Sequence, residues 1–207
     1  MKHDIEVIIV IWDTLSPVYD LGETVINGKV FRGIADEIGK YINADDDVLE
    51  CACGTGLLSL PVAERCHTLV ATDSSIGMLN AARKKLAGFD NVKLRRMDIM
   101  DIPYRAELFD AVIAANVIHL LDDPQRAADG LRRVCKKGGR IIIPTYIDRS
   151  EKTARRLRTV FSAIGIDFKR SFDCEQYKDF IESLGFDNVS YSLVDGRMPC
   201  VFAIVTR

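Results

Sequence analysis

At 207 residues, 48% apolar and 28% charged, the chain fits one generous domain able to bury its own core without staples. Six prolines and 14 glycines exclude a collagen-like or disordered chain. Twenty-eight basic against 30 acidic residues, a net charge of −2, argue against nucleic acid as the main partner.

In chain order, the first apolar run is Val7–Trp12, VIIVIW. It falls far short of the roughly 20 residues a spanning helix needs and has no small-residue cleavage site after it. It reads as a buried strand or packed helix in a soluble, cytoplasmic protein without a membrane span. Val48–Ala52 reads as a strand that enters the glycine turn Cys53-Gly54-Thr55-Gly56, with a helix over Leu57–Arg65. A second strand follows at Thr68–Thr72, then a helix over Ser75–Leu86 with Ile76, Leu79 and Ala82 on one face. Val92–Met97 alternates like a strand, and Phe109–Ala115 has the continuous apolar character of a strand buried on both faces. A helix opened by Pro124 runs to Cys135 with Gly138-Gly139 just past its end, and Arg140–Ile147 is a further buried strand.

The last third changes pattern. Ser150–Ile164 and Cys174–Leu184 read as helices, followed by strands at Asn188–Val194 and Cys200–Thr206. So short a connection between these strands makes them antiparallel neighbours, because a parallel return needs a dozen or more residues. The alternation before them demands crossover units. The expected fold is therefore α/β: a Rossmann-like three-layer α/β/α sandwich around a seven-stranded, mostly parallel sheet with an antiparallel C-terminal strand. One domain spans 1–207, with an N-terminal helical cap at 1–43 and an insertion at 148–173. The six cysteines lack the spacing of a disulfide framework or a zinc site, and no metal is expected.

Chemistry concentrates at the strand ends. A strand entering a glycine turn before a helix lets backbone N–H groups approach a ligand closely. Asp73 closes the second strand, where a carboxylate takes both hydroxyls of a ribose. Asp98 follows the third strand, placed to accept from an adenine amine, and Asn116 follows the fourth. Each alone is also an ordinary turn former at a strand end. Four such features after four successive strands point to one crevice.

The constellation resembles the class I S-adenosylmethionine-dependent methyltransferases. VLECACGTG (48–56) is similar to that family's first motif, Asp73-Ser74-Ser75-Ile76-Gly77-Met78-Leu79 to its second, and Met97-Asp98-Ile99 to its third. Phe109-Asp110 with Asn116-Val117-Ile118-His119-Leu120 resembles the fourth, and Leu131–Val134 through Gly138-Gly139-Arg140 the approach to the fifth strand. Trp12–Asp20 looks like the branch that includes ubiquinone and menaquinone biosynthesis enzymes. Glu50 stands where Asp is usual, and Ala52 replaces the first glycine.

The resemblance implies S-adenosylmethionine as cofactor. Glu50 would hold its ammonium, with Ala52, Gly54 and Gly56 beneath the methionine part and Tyr19 reaching in from the cap. Asp73 would take the ribose, Ser74 and Met78 would border the adenine, Asp98 and the Ile99 backbone would read its amine, and Asn116 would lie beside the same crevice. It also implies a small-molecule acceptor, a quinol, phenol or similar, between the cap and the insertion. Arg155, Arg156 and Arg158 either greet an anionic substrate there or form a solvated face. His119 and Tyr146 are the candidate general bases. A nicotinamide-dependent oxidoreductase shares the glycine turn and Asp73 but leaves Asp98 and the terminal hairpin unexplained. A non-catalytic S-adenosylmethionine-binding module is the third reading.

Overall fold

The computed structural model describes residues 32–147, 170, 172–196 and 198–207. Seven strands form one sheet: β1 (Asp47–Cys51), β2 (Thr68–Asp73), β3 (Val92–Arg96), β4 (Phe109–Ala114), β5 (Cys135–Tyr146), β6 (Val189–Val194) and β7 (Cys200–Thr206). Their spatial order is β3-β2-β1-β4-β5-β7-β6. Pairings from β3 through β5 are parallel, while β7 runs antiparallel to both β5 and β6. The expected α/β fold with its antiparallel last strand is the fold observed.

Five helical segments flank the sheet: α1 (residues 32–39), α2 (Ser59–Ala63), α3 (Ile76–Lys85), α4 (Pro124–Val134) and α5 (Cys174–Ser183). Because side chains alternate across a strand, β1 feeds both layers. Val48 packs with Ile38, Val62 and Leu79 from α1, α2 and α3, whereas Leu49 and Cys51 belong to the core built on α4 and α5. Helix starts follow local chemistry. Asp123 accepts from the Arg126 N–H ahead of Pro124, and Asp173 forms a capping box with Gln176. The Tyr177 hydroxyl donates to the Ile143 carbonyl at 2.6 Å, fastening α5 to β5.

Three expectations needed correction. Helix α2 begins at Ser59 rather than Leu57 and ends at Ala63, because the glycine turn continues through Leu58. Gly138 and Gly139 lie past the end of α4 as expected, but inside β5, which begins at Cys135 rather than Arg140. A Cβ at Gly139 would stand 2.7 Å from the Asp110 carbonyl oxygen, so glycine lets β5 pass β4 where their register shifts. Ile76, assigned to the buried face of α3, is instead 49% exposed, and Met78, Leu79 and Ala82 fill the interior. The VIIVIW run, the Ser150–Ile164 helix, Tyr19 and Arg155, Arg156 and Arg158 lie outside the described residues. No helix among the described residues is long and apolar enough to cross a membrane.

Candidate active site

Ladder hydrogen bonds bring the carboxyl ends of β1, β2, β3 and β4 side by side. The Cys53 N–H donates to the Thr72 carbonyl at 2.8 Å, and the Met97 N–H to the Asp73 carbonyl at 3.0 Å. The glycine turn, Asp73 and Asp98 are thus neighbours, with Asp98 just past the β2–β3 ladder.

The turn itself is a run of left-handed backbone. Ala52, Gly54 and Gly56 have φ of 54°, 55° and 80°. Gly56 is constrained twice: its φ is costly for other residues, and a Cβ there would stand 3.1 Å from the Ala82 Cβ of α3. Gly54 differs, since a Cβ at that position meets nothing within 4 Å. Its backbone faces open space, as close approach by a ligand requires. Ala52 adopts the same conformation without glycine's freedom, at a cost of about 1 kcal/mol.

Asp73, 8% exposed, ties the turn to β2. One carboxylate oxygen accepts from the Gly54 N–H at 2.9 Å, the other from the Ser75 N–H at 2.8 Å. A carboxylate offers about four lone-pair sites, and these two bonds occupy one on each oxygen. Ser75 caps α3 by accepting from the Met78 N–H at 3.0 Å. Met78 and Ile99 are buried, Ser74 is half-buried, and exposed Asp98 forms a turn by accepting from the Met100 N–H at 2.9 Å.

Glu50 is 1% exposed. Its side chain shares the parity of Val48 and so faces α2, where the Ser59 hydroxyl donates to it at 2.6 Å. Burial, opposed by the Ser59 hydrogen bond and reinforced by the Asp73 charge, pushes its pKa up to about 7. No cation pairs with it among the described residues. A buried acid lacking a counter-charge, beside an open glycine backbone, fits a group that brings an ammonium of its own. The family resemblance flagged Glu50, but not Ser59. The only signal for Ser59 was a serine at the start of the next helix. Cys51 and Cys53 are buried, and burial pushes both thiols well up, so they line the turn as inert packing.

The remaining candidates, Asn116, Tyr146 and His119, cluster where β4 and β5 end. Asn116, with φ 51°, donates its N–H to the Pro144 carbonyl and accepts the Tyr146 N–H on its side-chain oxygen at 2.9 Å. It therefore seams β4 to β5, and half-buried Tyr146 sits at that seam. His119 is buried in a short 3₁₀ turn (Ile118–Leu120), edge-on to Phe172. Burial, helped by the Arg170 guanidinium, lowers its pKa to about 4. Such a ring is neutral at pH 7 and a weak base there.

Residues 49–143 match the family described as "Methyltransferase domain". The chain is 35% identical over 135 residues to a demethylmenaquinone methyltransferase of Clavibacter sepedonicus, covering 64% of this chain and 55% of that protein. It is 34% identical over 128 residues to a phosphatidylethanolamine N-methyltransferase of Cereibacter sphaeroides, covering 60% and 63%. The chain thus spans between about half and two thirds of these relatives' lengths. Among solved structures, a Thermotoga maritima protein described as a SAM-dependent methyltransferase, possible histamine N-methyltransferase, shares the fold. Its TM-score is 0.74 at 18% identity, over 95% of this chain and 99% of that one. Over the matched segment the chain resembles methyltransferase domains, and the sheet built around that segment has the fold of a SAM-dependent methyltransferase.

Proposed function

We propose that the chain transfers a methyl group from S-adenosylmethionine to a small-molecule acceptor, a quinol, phenol or similar, by in-line displacement. The observation that carries this reading is the pairing of buried Glu50 with Asp73 around the open turn at Gly54. The demethylmenaquinone methyltransferase among the relatives supports the acceptor class. When bound, the cofactor would supply a sulfonium-activated methyl group, the acceptor's lone pair forming its bond to that carbon as the carbon–sulfur bond breaks to give the thioether.

The chain's part is to bind, align and keep water out. Glu50 holds the ammonium, Gly54 gives the methionine part a close approach, and Asp73 accepts from the ribose hydroxyls. Asp98 and the Ile99 backbone read the adenine amine, with Ser74 and Met78 at its border and exposed Ile76 adding apolar surface near Asp73. A quinol or phenol must shed a proton during transfer. His119 and Tyr146 are the side chains placed at the β4–β5 end for it, and the lowered basicity of His119 makes a water-relayed loss the easier route.

The phosphatidylethanolamine N-methyltransferase match favours an amine acceptor as the second reading. Turnover of S-adenosylmethionine against quinols, phenols, thiols and amines tests both. Methylation of a quinol or phenol, abolished in D73A together with cofactor binding, is the expected result. Methylation of amines alone moves the assignment to the second reading. Stabilisation of the protein by NAD but not by S-adenosylmethionine overturns both.

A further inference from the structure

We propose that Ser59 is a positioning residue of this site, setting the charge of Glu50 so that cofactor binding is linked to proton release. This deepens the cofactor reading above and rests on it.

Ser59 is fully buried at the first position of α2, directly after the N-cap residue Leu58. Here α2 has no side-chain cap, and the hydroxyl turns instead to Glu50 Oε2 at 2.6 Å. It is the one side-chain donor to that carboxylate among the described residues. With Oε2 engaged, Oε1 is the oxygen left to meet an incoming ammonium.

Of the titratable groups around Glu50, the Asp73 carboxylate at the end of β2 opposes a second negative charge, while the thiols of Cys51, Cys53 and Cys66 stay neutral. The Lys85 ammonium of α3 reaches the turn at the Thr55 hydroxyl, 3.3 Å away, and not Glu50. Its neighbours across the strands, Ala71 on β2 and Ile113 on β4, bring no charge. From α2, the buried residues besides Ser59 are Pro61, Val62 and Ala63.

Without a cation, Glu50 therefore holds its proton up to about pH 7. An ammonium placed against it reverses the balance, so below that pH the cofactor binds only as the proton leaves. The Ser59 hydroxyl favours the ionised form, and its removal moves the transition upward. Other groups near the turn stay out of this window: burial drives the thiols up, and His119 lies near 4. His67 pairs with Asp47 at the opposite end of the sheet.

The test is calorimetric titration with S-adenosylhomocysteine, the demethylated product, between about pH 5.5 and 8.5 in two buffers of different ionisation enthalpy. Wild-type affinity should fall about tenfold per pH unit below the midpoint, with proton release measured there. S59A should move that midpoint up by about 0.5–1 pH unit. E50Q should remove the pH dependence, and adding S59A to E50Q should move nothing further. Affinity independent of pH in the wild type, or an unmoved midpoint in S59A, overturns the assignment and leaves the cofactor reading intact. If S59A does not fold, wild-type proton release and its loss in E50Q decide the matter. Absence of binding to the wild type at every pH overturns the cofactor reading, and the role of Ser59 with it.

Discussion

The two ends of the sheet treat their carboxylates in opposite ways. Where the parallel strands begin, acids meet bases: Asp46 pairs with Arg140 at 2.7 Å, Asp110 takes Lys136 on both oxygens at 2.8 Å, and Asp47 meets His67 and Thr68. Where they finish, Glu50 takes a serine hydroxyl and Asp73 accepts from backbone N–H groups. Each of these acids at the first end meets a side-chain partner once the chain folds. The second keeps capacity for a ligand, and the buried acid there costs stability in the ligand's absence.

The largest effect expected from breaking this contrast is at the closed end. D46A removes the acceptor of the Arg140 guanidinium and of the Asn43 N–H. It leaves a largely buried cation whose Nε already has no hydrogen bond among the described residues. Loss of about 3 kcal/mol is expected in denaturant unfolding, with S-adenosylhomocysteine affinity unchanged. A substantial loss of affinity in a folded D46A protein would mean that the two ends are not separable.

At the open end the expected sign is reversed. E50Q keeps an acceptor for Ser59 but removes the buried charge, so at pH 8 the variant should be more stable by about 2 kcal/mol and bind cofactor about tenfold or more weakly. The pH dependence follows from the raised pKa. Stability linked to Glu50 is fully present below its unfolded value of 4.5 and is lost as pH rises through about 7, so the advantage of E50Q grows across that window. Asp110 behaves oppositely. Burial works against its charge, but Lys136 and the Asp47 N–H outweigh burial and hold its pKa down. Its stability contribution is therefore lost as pH falls. Denaturation of wild type and E50Q across this range separates the two trends, and an E50Q protein equally stable or weaker at pH 8 would remove the asserted cost.

This polarity was only partly legible in the sequence. The strands along the chain, their parallel or antiparallel sense, the glycine turn and Asp73 could be read because apolar runs, turn residues and crossover length are local or nearly local signals. Ser59 could not, because its meaning depends on where α2 starts and on which side of β1 Glu50 faces. Asn116 shows the same limit. Its position after the fourth strand was readable, but its side-chain oxygen bonds to a strand 30 positions onward. Ile76 followed the helical period yet lies on the exposed side of the first turn of α3, whose buried side is taken by Met78 and Leu79. The charge pairs at the closed end, Asp46 with Arg140 above all, join residues 94 positions apart and carry no spacing signal.

The smallest expected effect concerns how much strain the open end holds. Four described residues other than glycine have positive φ: Ala52, Glu107, Asn116 and Asn188. Ala52 alone has no polar side chain to bond the local backbone in compensation. A52G relieves about 1 kcal/mol of steric cost and gives back part of it through the greater freedom of glycine in the unfolded chain. The expected net is a gain of about 0.5 kcal/mol, a rise of about 1–2 °C in Tm. If the alanine also stiffens the turn for its ligand, S-adenosylhomocysteine affinity falls slightly in A52G even as Tm rises. Opposed changes of that kind place the cost of strain at the binding end, alongside Glu50. A fall in Tm instead would show Ala52 to be relaxed and leave Glu50 as the sole source of that cost.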